Sequence, residues 1–379
     1  MVEWKEYRIK DLGEVVTGNT PPTSNREYYG TEYKFIKPTD MVEGQRFVST
    51  TEEYYSELAY QKYKKCLLPP KTPCVVTIGS LGKKMCLTDT ECFTNQAVNA
   101  VIPNKENDGE FLYYAFKASV LAYVKQLDSG TTSERENVSK SSFSKIKVRV
   151  PPLPTQQKIA SILSAYDNLI QNYKKQIEAL QTAASELYKE WFVRFRFPGY
   201  KNSRFENGIP EGWKIERLTK LVGIKYGKDH SKLDDGNIPV YGSGGIMRYC
   251  NKALYDKETV LIPRKGSLNN IMYANRPLWT VDTMFYSIML RKNIAKYLYY
   301  VLSKIDMESF NAGAALPSMT TEILSHFKII VPDNKTLELF DNKIALIFTQ
   351  IDNLQQQISN LTQQRDLLLP RLMSGKLKI

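Results

Sequence analysis

Histidine is nearly missing: His230 and His326 are the only two in 379 residues. Neither stands in a Cys-His or Ser-His setting, so an imidazole-activated nucleophile has no visible parts. The five cysteines (Cys66, Cys74, Cys86, Cys92 and Cys250) include no Cys-x-x-Cys pair. That spacing excludes a zinc site or a disulfide framework and leaves small thiols in a reducing compartment. No apolar run approaches the roughly 18 to 20 residues that a membrane helix requires, and Met1-Val2-Glu3-Trp4-Lys5 lacks a signal-peptide core. A cytoplasmic chain without membrane attachment is expected. Gly79-Ser80-Leu81-Gly82-Lys83-Lys84 has neither the spacing of a phosphate loop nor its Ser or Thr after lysine. Gly242-Ser243-Gly244-Gly245 is too loose for a dinucleotide fingerprint, and both stretches read as turns. Adenine methyltransferase runs of the Asp-Pro-Pro-Tyr or Asn-Pro-Pro-Phe type are missing too. No catalytic residue, metal ligand or cofactor site is expected on this chain.

What is present is positive charge and repetition. The formal net charge is +12. Such an excess most often serves nucleic acid, sometimes an acidic membrane surface, and sometimes only solubility. The length suits two domains of roughly 100 to 200 residues with connectors. From Gln156 to Trp191, the residues Ile159, Leu163, Tyr166, Ile170, Tyr173, Ile177, Leu180, Ala184, Leu187 and Trp191 alternate at spacings of four and three. That is the seam of a helix that pairs lengthwise with another. A partner stands near the other end, where Ile347, Ile351, Leu354, Ile358, Leu361, Leu368 and Leu372 keep the alternation, with Arg365 as its charged position.

The two helices are copies. Lys158-Ile159-Ala160 through Asp167-Asn168-Leu169 realigns on Lys343-Ile344-Ala345 through Asp352-Asn353-Leu354. Trp4-Lys5-Glu6-Tyr7-Arg8-Ile9, with Leu12 and Gly18, returns as Trp213-Lys214-Ile215-Glu216-Arg217-Leu218, with Leu221 and Gly227. Phe143 to Pro151 matches Leu324 to Pro332, each a short strand closed by proline before a helix. The copies stand 209 residues apart at Trp4 and Trp213 but 181 at Pro151 and Pro332, so the second domain is the shorter.

Within the first domain, β-rich runs at Tyr33 to Ile36, Cys74 to Ile78 and Ala97 to Ile102 precede a helical segment at Glu110 to Leu127. Ile238 to Tyr241, Thr259 to Ile262, Ile271 to Ala274, Met284 to Leu290 and the helical Ile294 to Lys304 answer them. Arg194 to Pro210, rich in Arg, Asn, Gly and Pro, reads as a linker. The expected fold class is α+β: two similar mixed α/β domains joined by two long helices that form an antiparallel coiled coil. The boundaries are domain 1–153, helix 154–197, domain 198–335 and helix 336–379. A helix of this length measures about 50 Å, which would hold the domains a few nanometres apart.

The loops hold donors. The first domain offers Asn19, Thr20, Lys37, Thr39, Lys83, Lys84, Asn95, Gln96, Thr131 and Thr132. The second offers Ser243, Arg264, Lys265, Ser267, Asn269, Asn270 and Thr280. Arg and Lys bind phosphates or the O6/N7 edge of guanine, and Asn or Gln pairs with the N6/N7 edge of adenine, so the mixture suits base reading in a groove. A turn hydrogen bond to the backbone is the plainer role for any one loop Asn or Ser. Trp191, Phe192 and Phe195 exceed what two paired helices need to bury; they read as a docking face for another subunit, or as the buried junction of this chain.

The whole chain resembles the specificity subunits of type I restriction-modification systems. The resemblance rests on the duplicated order and on Val150-Pro151-Pro152-Leu153-Pro154-Thr155-Gln156-Gln157-Lys158-Ile159-Ala160 opening the central helix. It also rests on Glu186-Leu187-Tyr188 to Trp191-Phe192, Leu367 to Leu377, Phe35 to Asp40, Thr94 to Ala97 and Ile262 to Ser267. It implies two target recognition domains, each reading half of a split site in double-stranded DNA, with the paired helices setting the gap. It further implies no activity of its own. Two modification (methyltransferase) subunits would dock on the helices and bring S-adenosylmethionine to methylate adenine N6. Restriction (translocase and endonuclease) subunits would add ATP and Mg. The second domain departs from the first in carrying Gly313-Ala314-Ala315-Leu316-Pro317 in place of Gly130-Thr131-Thr132-Ser133. Two other classes stand against this reading: a stand-alone DNA-modifying or DNA-cleaving enzyme with duplicated domains, and a coiled-coil scaffold without DNA.

Overall fold

A computed structural model gives the fold and describes residues 3–126, 137–311 and 317–377. The chain forms two compact units, Met1–Lys174 with Gln355–Ile379, and Lys175–Leu354. Both long helices, Leu153–Tyr188 and Asn334–Met373, therefore give one part to each unit.

The two units repeat one plan. In the first, Lys5–Arg8 pairs antiparallel with Lys147–Val150, setting Lys5 opposite Val150. In the second, Lys214–Arg217 pairs with Lys328–Val331, setting Lys214 opposite Val331. Alternation explains the returning strand: Val148 and Val150, like Ile329 and Val331, turn inward while Lys147 and Lys328 face out. Pro151 and Pro332 then end the ladder. The main sheet runs Gly13–Thr17, Val98–Pro103, Pro73–Val76, Met85–Leu87 in the first unit. It runs Val222–Tyr226, Met284–Met289, Thr259–Pro263, Met272–Ala274 in the second. Beside it lies a parallel pair, Tyr33–Ile36 with Cys92–Thr94 or Ile238–Gly242 with Trp279–Thr280.

The β-rich runs read within each domain have counterparts displaced by at most two residues, whereas in the two proline-closed stretches Phe143 to Lys145 and Leu324 to Ser325 are helical and the strands begin only at Lys147 and Lys328. The first helical segment starts at Gly109, where the Asp108 carboxylate accepts the Phe111 amide at 2.8 Å. A π turn at Phe116–Val120 interrupts it before Leu121–Gln126. Leu127 lies outside the described residues.

The long helices pair antiparallel within each unit. In the first, Ile159 and Leu163 share a core with Leu369 and Leu372, and Asp167 meets Arg365. In the second, Ala184, Trp191 and Phe192 share a core with Leu337, Phe340 and Ile344. The first helix opens at Leu153, three residues before Gln156, because Pro151 and Pro152 can precede a first turn but not continue one. Its end differs more. A π turn at Lys189–Val193 widens the last turn, which brings Trp191 and Phe192, neighbours in sequence, to the same buried side. The stretch read as a linker is partly built: Phe205–Glu206 and Ile209–Pro210 form a hairpin. Asn207 and Gly208 both have positive φ, as a tight Asn-Gly turn demands.

Candidate nucleic-acid interface

At one end of each unit, four loops come together, and the same contacts hold them in both. Gly18 donates its amide to the Val98 carbonyl, and Asn19 donates to the Thr94 carbonyl. Gly227 and Lys228 make the matching bonds to Met284 and Thr280. A Cβ on Gly18 would lie 2.1 Å from the Thr94 oxygen, and one on Gly227 2.0 Å from that of Val281, so only glycine fits either crossing. A second tie joins the loop after Pro73–Val76, or after Thr259–Pro263, to the loop that follows the parallel strand. In the first unit Lys84 Nζ donates to the Pro38 carbonyl at 2.7 Å. In the second Asn270 Nδ2 donates to the Ser243 carbonyl at 2.8 Å. Different side chains thus close the same frame.

The sequence-read donors divide over this frame. Thr20, Thr39, Lys83 and Gln96 are exposed in the first unit, with the Thr20 hydroxyl donating to the Gln96 amide oxygen. Lys37 is neutralised by Glu52 at 2.9 Å and Glu53 at 3.2 Å. Burial works against its charge, but the two carboxylates outweigh it and hold the ammonium above its ordinary range. Asn19 accepts from the Tyr55 hydroxyl, and Asn95 accepts from the Ala97 amide at 3.1 Å in a turn. Lys84 is spent on Pro38. Thr131 and Thr132 lie outside the described residues, as do Gly130, Ser133 and residues 313–316.

In the second unit Ser243, Arg264, Lys265 and Ser267 gather at the loop end. Arg264 donates to the Asp282 carbonyl at 3.1 Å, and its guanidinium carbon stands 5.3 Å from the centre of the Tyr226 ring. Gly266 sits at φ +82, where an added Cβ would lie 2.8 Å from the Ser243 hydroxyl. Thr280, Asn269 and Asn270 are engaged within the unit. Thr280 is fully buried, because it lies in the parallel strand pair behind the loops. Asn269 holds the Met307 amide at 2.7 Å, and Asn270 is spent on Ser243. Thr280 and Asn270 build the loops, while Asn269 remains exposed, with its Nδ2 donating to Asp306 at 3.2 Å. The Gly79 to Lys84 and Gly242 to Gly245 stretches are turns, as read, with positive φ at Gly79, Gly82 and Gly245.

Of the two readings of the aromatic cluster, the structure shows junction packing. Trp191 and Phe192 are buried within the second unit. Phe192 lies 4.8 Å from Phe340 and 4.7 Å from Tyr297, and Trp191 lies 5.9 Å from Phe340. Phe195 packs on Trp213 at 5.6 Å. The alternation with Arg marks a junction core, since the arginines turn out to Glu186 and Glu190. Sequence reasoning missed Lys228, Tyr226, Ile246 and Met247, all exposed about the second unit's loops. An unpaired apolar Ile-Met beside a Gly-rich turn was the available signal.

Among the described residues no His, Cys, Asp and Glu group is arranged to hold a metal ion, and no helix is long and apolar enough to cross a membrane. The sequence model of one family, the type I restriction modification DNA specificity domain, matches residues 1–182 and again 210–365. The chain belongs to that family. The MjaIX specificity subunit of Methanocaldococcus jannaschii is 26% identical over all of this chain and 94% of its own length. The HindI specificity subunit of Haemophilus influenzae is 35% identical over 45% of this chain and 38% of its own. A solved type I S subunit from M. genitalium aligns with a TM-score of 0.67 at 20% identity, covering 98% of this chain and 96% of that one, which shows a shared fold. As a type I specificity subunit, the chain is a recognition subunit and not an enzyme.

Proposed function

We propose that each unit reads one half of a bipartite site in double-stranded DNA through its loop end, and that the paired helices set the unread gap. In this reading the target recognition domains are 1–153 and 198–335, and the conserved helices are 154–197 and 336–379. The observation that carries it is the twice-built frame. Both units keep the same sheet order and the same glycine crossing, yet present different side chains: Thr20, Thr39, Lys83 and Gln96 in one, Ser243, Arg264, Lys265 and Ser267 in the other. A constant frame with varied outward donors is what two readers of different sequences need. The +12 charge supplies sequence-independent attraction to phosphate.

Two modification subunits, carrying S-adenosylmethionine for adenine N6 methylation, dock along the helices, and restriction subunits with ATP and Mg join them. Since Trp191 and Phe192 are buried and Phe195 packs half-buried on Trp213, the docking face is assigned to apolar positions that the helix pair leaves open: Leu339, Leu346 and Leu367 on the second long helix, Leu169 on the first.

Methylome sequencing of cells with and without this gene tests the reading. A split motif that disappears with the gene is expected. Inserting about one helical turn, roughly four residues, into both long helices near Gln176 and Gln356 should change the gap and leave both half-sites intact. An altered half-site, or methyl transfer by the purified chain alone, would refute it.

A further inference from the structure

The second unit's loop end carries an apolar edge that nothing above uses. Ile238–Gly242 and Gly245–Cys250 form a two-stranded ribbon closed by the Gly242 to Gly245 turn, and Gly245–Cys250 is the outer strand of its sheet. Its pairing register shifts at Val240/Tyr241, which leaves Met247 as the extra residue of a bulge between Ile246 and Arg248. Ile246 is 49% and Met247 60% exposed. Bulges re-aim side chains, and an open apolar edge strand is a hazard that a functional surface must justify. The Met247 side chain lies across Gly242, where an added Cβ would meet its sulfur at 2.5 Å. Gly242 leads directly into Ser243, which is tied to Asn270 and crowded by Gly266, so the apolar edge is continuous with the Arg264-Lys265 loop. Tyr226, 51% exposed, stands beneath the Arg264 guanidinium.

We infer that Ile246 and Met247 read a thymine by its C5-methyl group in the major groove of the second half-site. The inference rests on the DNA-reading role proposed above. The major groove admits a two-stranded ribbon, and the one apolar group on a base edge there is the thymine methyl. The cationic Arg264 and Lys265 on the adjoining loop favour DNA over an apolar protein partner. The loop at the corresponding place in the first unit offers a lone exposed valine, Val42, next to Glu43. Methyl reading therefore belongs to the second half-site.

The test uses the full chain assembled with its modification subunit, on duplexes carrying the motif found by methylome sequencing. Thymines of the second half-site are replaced singly by uracil, which removes only the methyl. One replacement should weaken binding roughly fourfold, the equivalent of one buried carbon group. In Met247→Ser the same replacement should cost nothing further, a coupling that a merely structural role would not produce. Gly242→Ala, which displaces Met247, should weaken binding to the thymine duplex more than to the uracil one.

If half-site selectivity is intact while every uracil duplex binds as tightly as its parent, or if the second half-site holds no thymine on either strand, methyl reading is wrong and the two-reader function stands. If binding ignores half-site sequence altogether, both fall. If Met247→Ser spares DNA binding but impairs subunit assembly, the edge belongs to a protein and the inference is overturned.

Discussion

Replacing Arg365 with leucine isolates the charge that interrupts an otherwise apolar seam. Arg365 is 8% exposed, and its Nη1 donates to Asp167 Oδ1 at 2.6 Å. The Asp167 side chain is 9% exposed, and its other oxygen accepts from the Tyr114 hydroxyl at 2.6 Å. The pair thus fastens both long helices to the helix of the first domain. Burial works against the guanidinium charge, but Asp167 and Asp366 more than offset it. Leucine is also what the first helix carries in the matching place, since the alignment of Lys158 with Lys343 sets Leu180 against Arg365. Removing the guanidinium alone leaves a buried carboxylate with one hydroxyl donor, and breaking a buried pair from one side costs about 3 to 5 kcal/mol. For a unit of this size, each kcal/mol moves the midpoint by about 2 to 4 °C. Calorimetry on the full chain should therefore show one transition falling by roughly 6 to 20 °C. Asp167→Leu combined with Arg365→Leu removes both charges, and should return to within about 1 to 2 kcal/mol of the parent, the remainder being the Tyr114 hydroxyl left without its acceptor. A single variant within about 1 kcal/mol of the parent, or a double variant worse than the single, would refute the reasoning.

Trp191→Ala should destabilise the second unit by about 3 to 5 kcal/mol in denaturant titration, because it opens a cavity against Phe340; unchanged stability with lost subunit assembly would restore the docking role. Asp333 caps the second long helix, accepting the Thr336 amide at 2.9 Å and its hydroxyl at 2.6 Å. Burial raises its pKa, but these bonds outweigh that and hold the carboxyl below its usual range. Its contribution is present above the unfolded carboxyl pKa and lost as pH falls through the lower folded value. Asp333→Ala should cost about 1 kcal/mol at neutral pH and little in acid, as melting across pH will show. Arg264→Ala should weaken binding to the second half-site by about 1 to 3 kcal/mol if it reads a base; competition assays that show equal loss on all DNA would make it a phosphate contact.

Periodicity and repetition were legible because they are local or linear properties. Ile159 and Leu163 mark a helix face by spacing alone, and Trp4 with Trp213 marks two copies of one domain. The site was legible only as a set of loops. Lys84 and Asn270 look like free donors in the sequence, but each is consumed by a carbonyl far along the chain, Pro38 or Ser243. Thr280 looks like a loop hydroxyl until the parallel strand closes over it. Ile246-Met247 beside a Gly-rich turn is a faint signal in the sequence; the bulge that sets Met247 apart is a property of strand register.

The sequence by itself determined the helix seams and the duplicated order, since each follows from residue type and spacing. Tertiary structure alone decided which donors remain free, which aromatics are buried at the junction and where the charged seam position finds its acid. Those outcomes depend on pairing across dozens to hundreds of residues. Burial and hydrogen-bond satisfaction are set there by neighbours that no local pattern names.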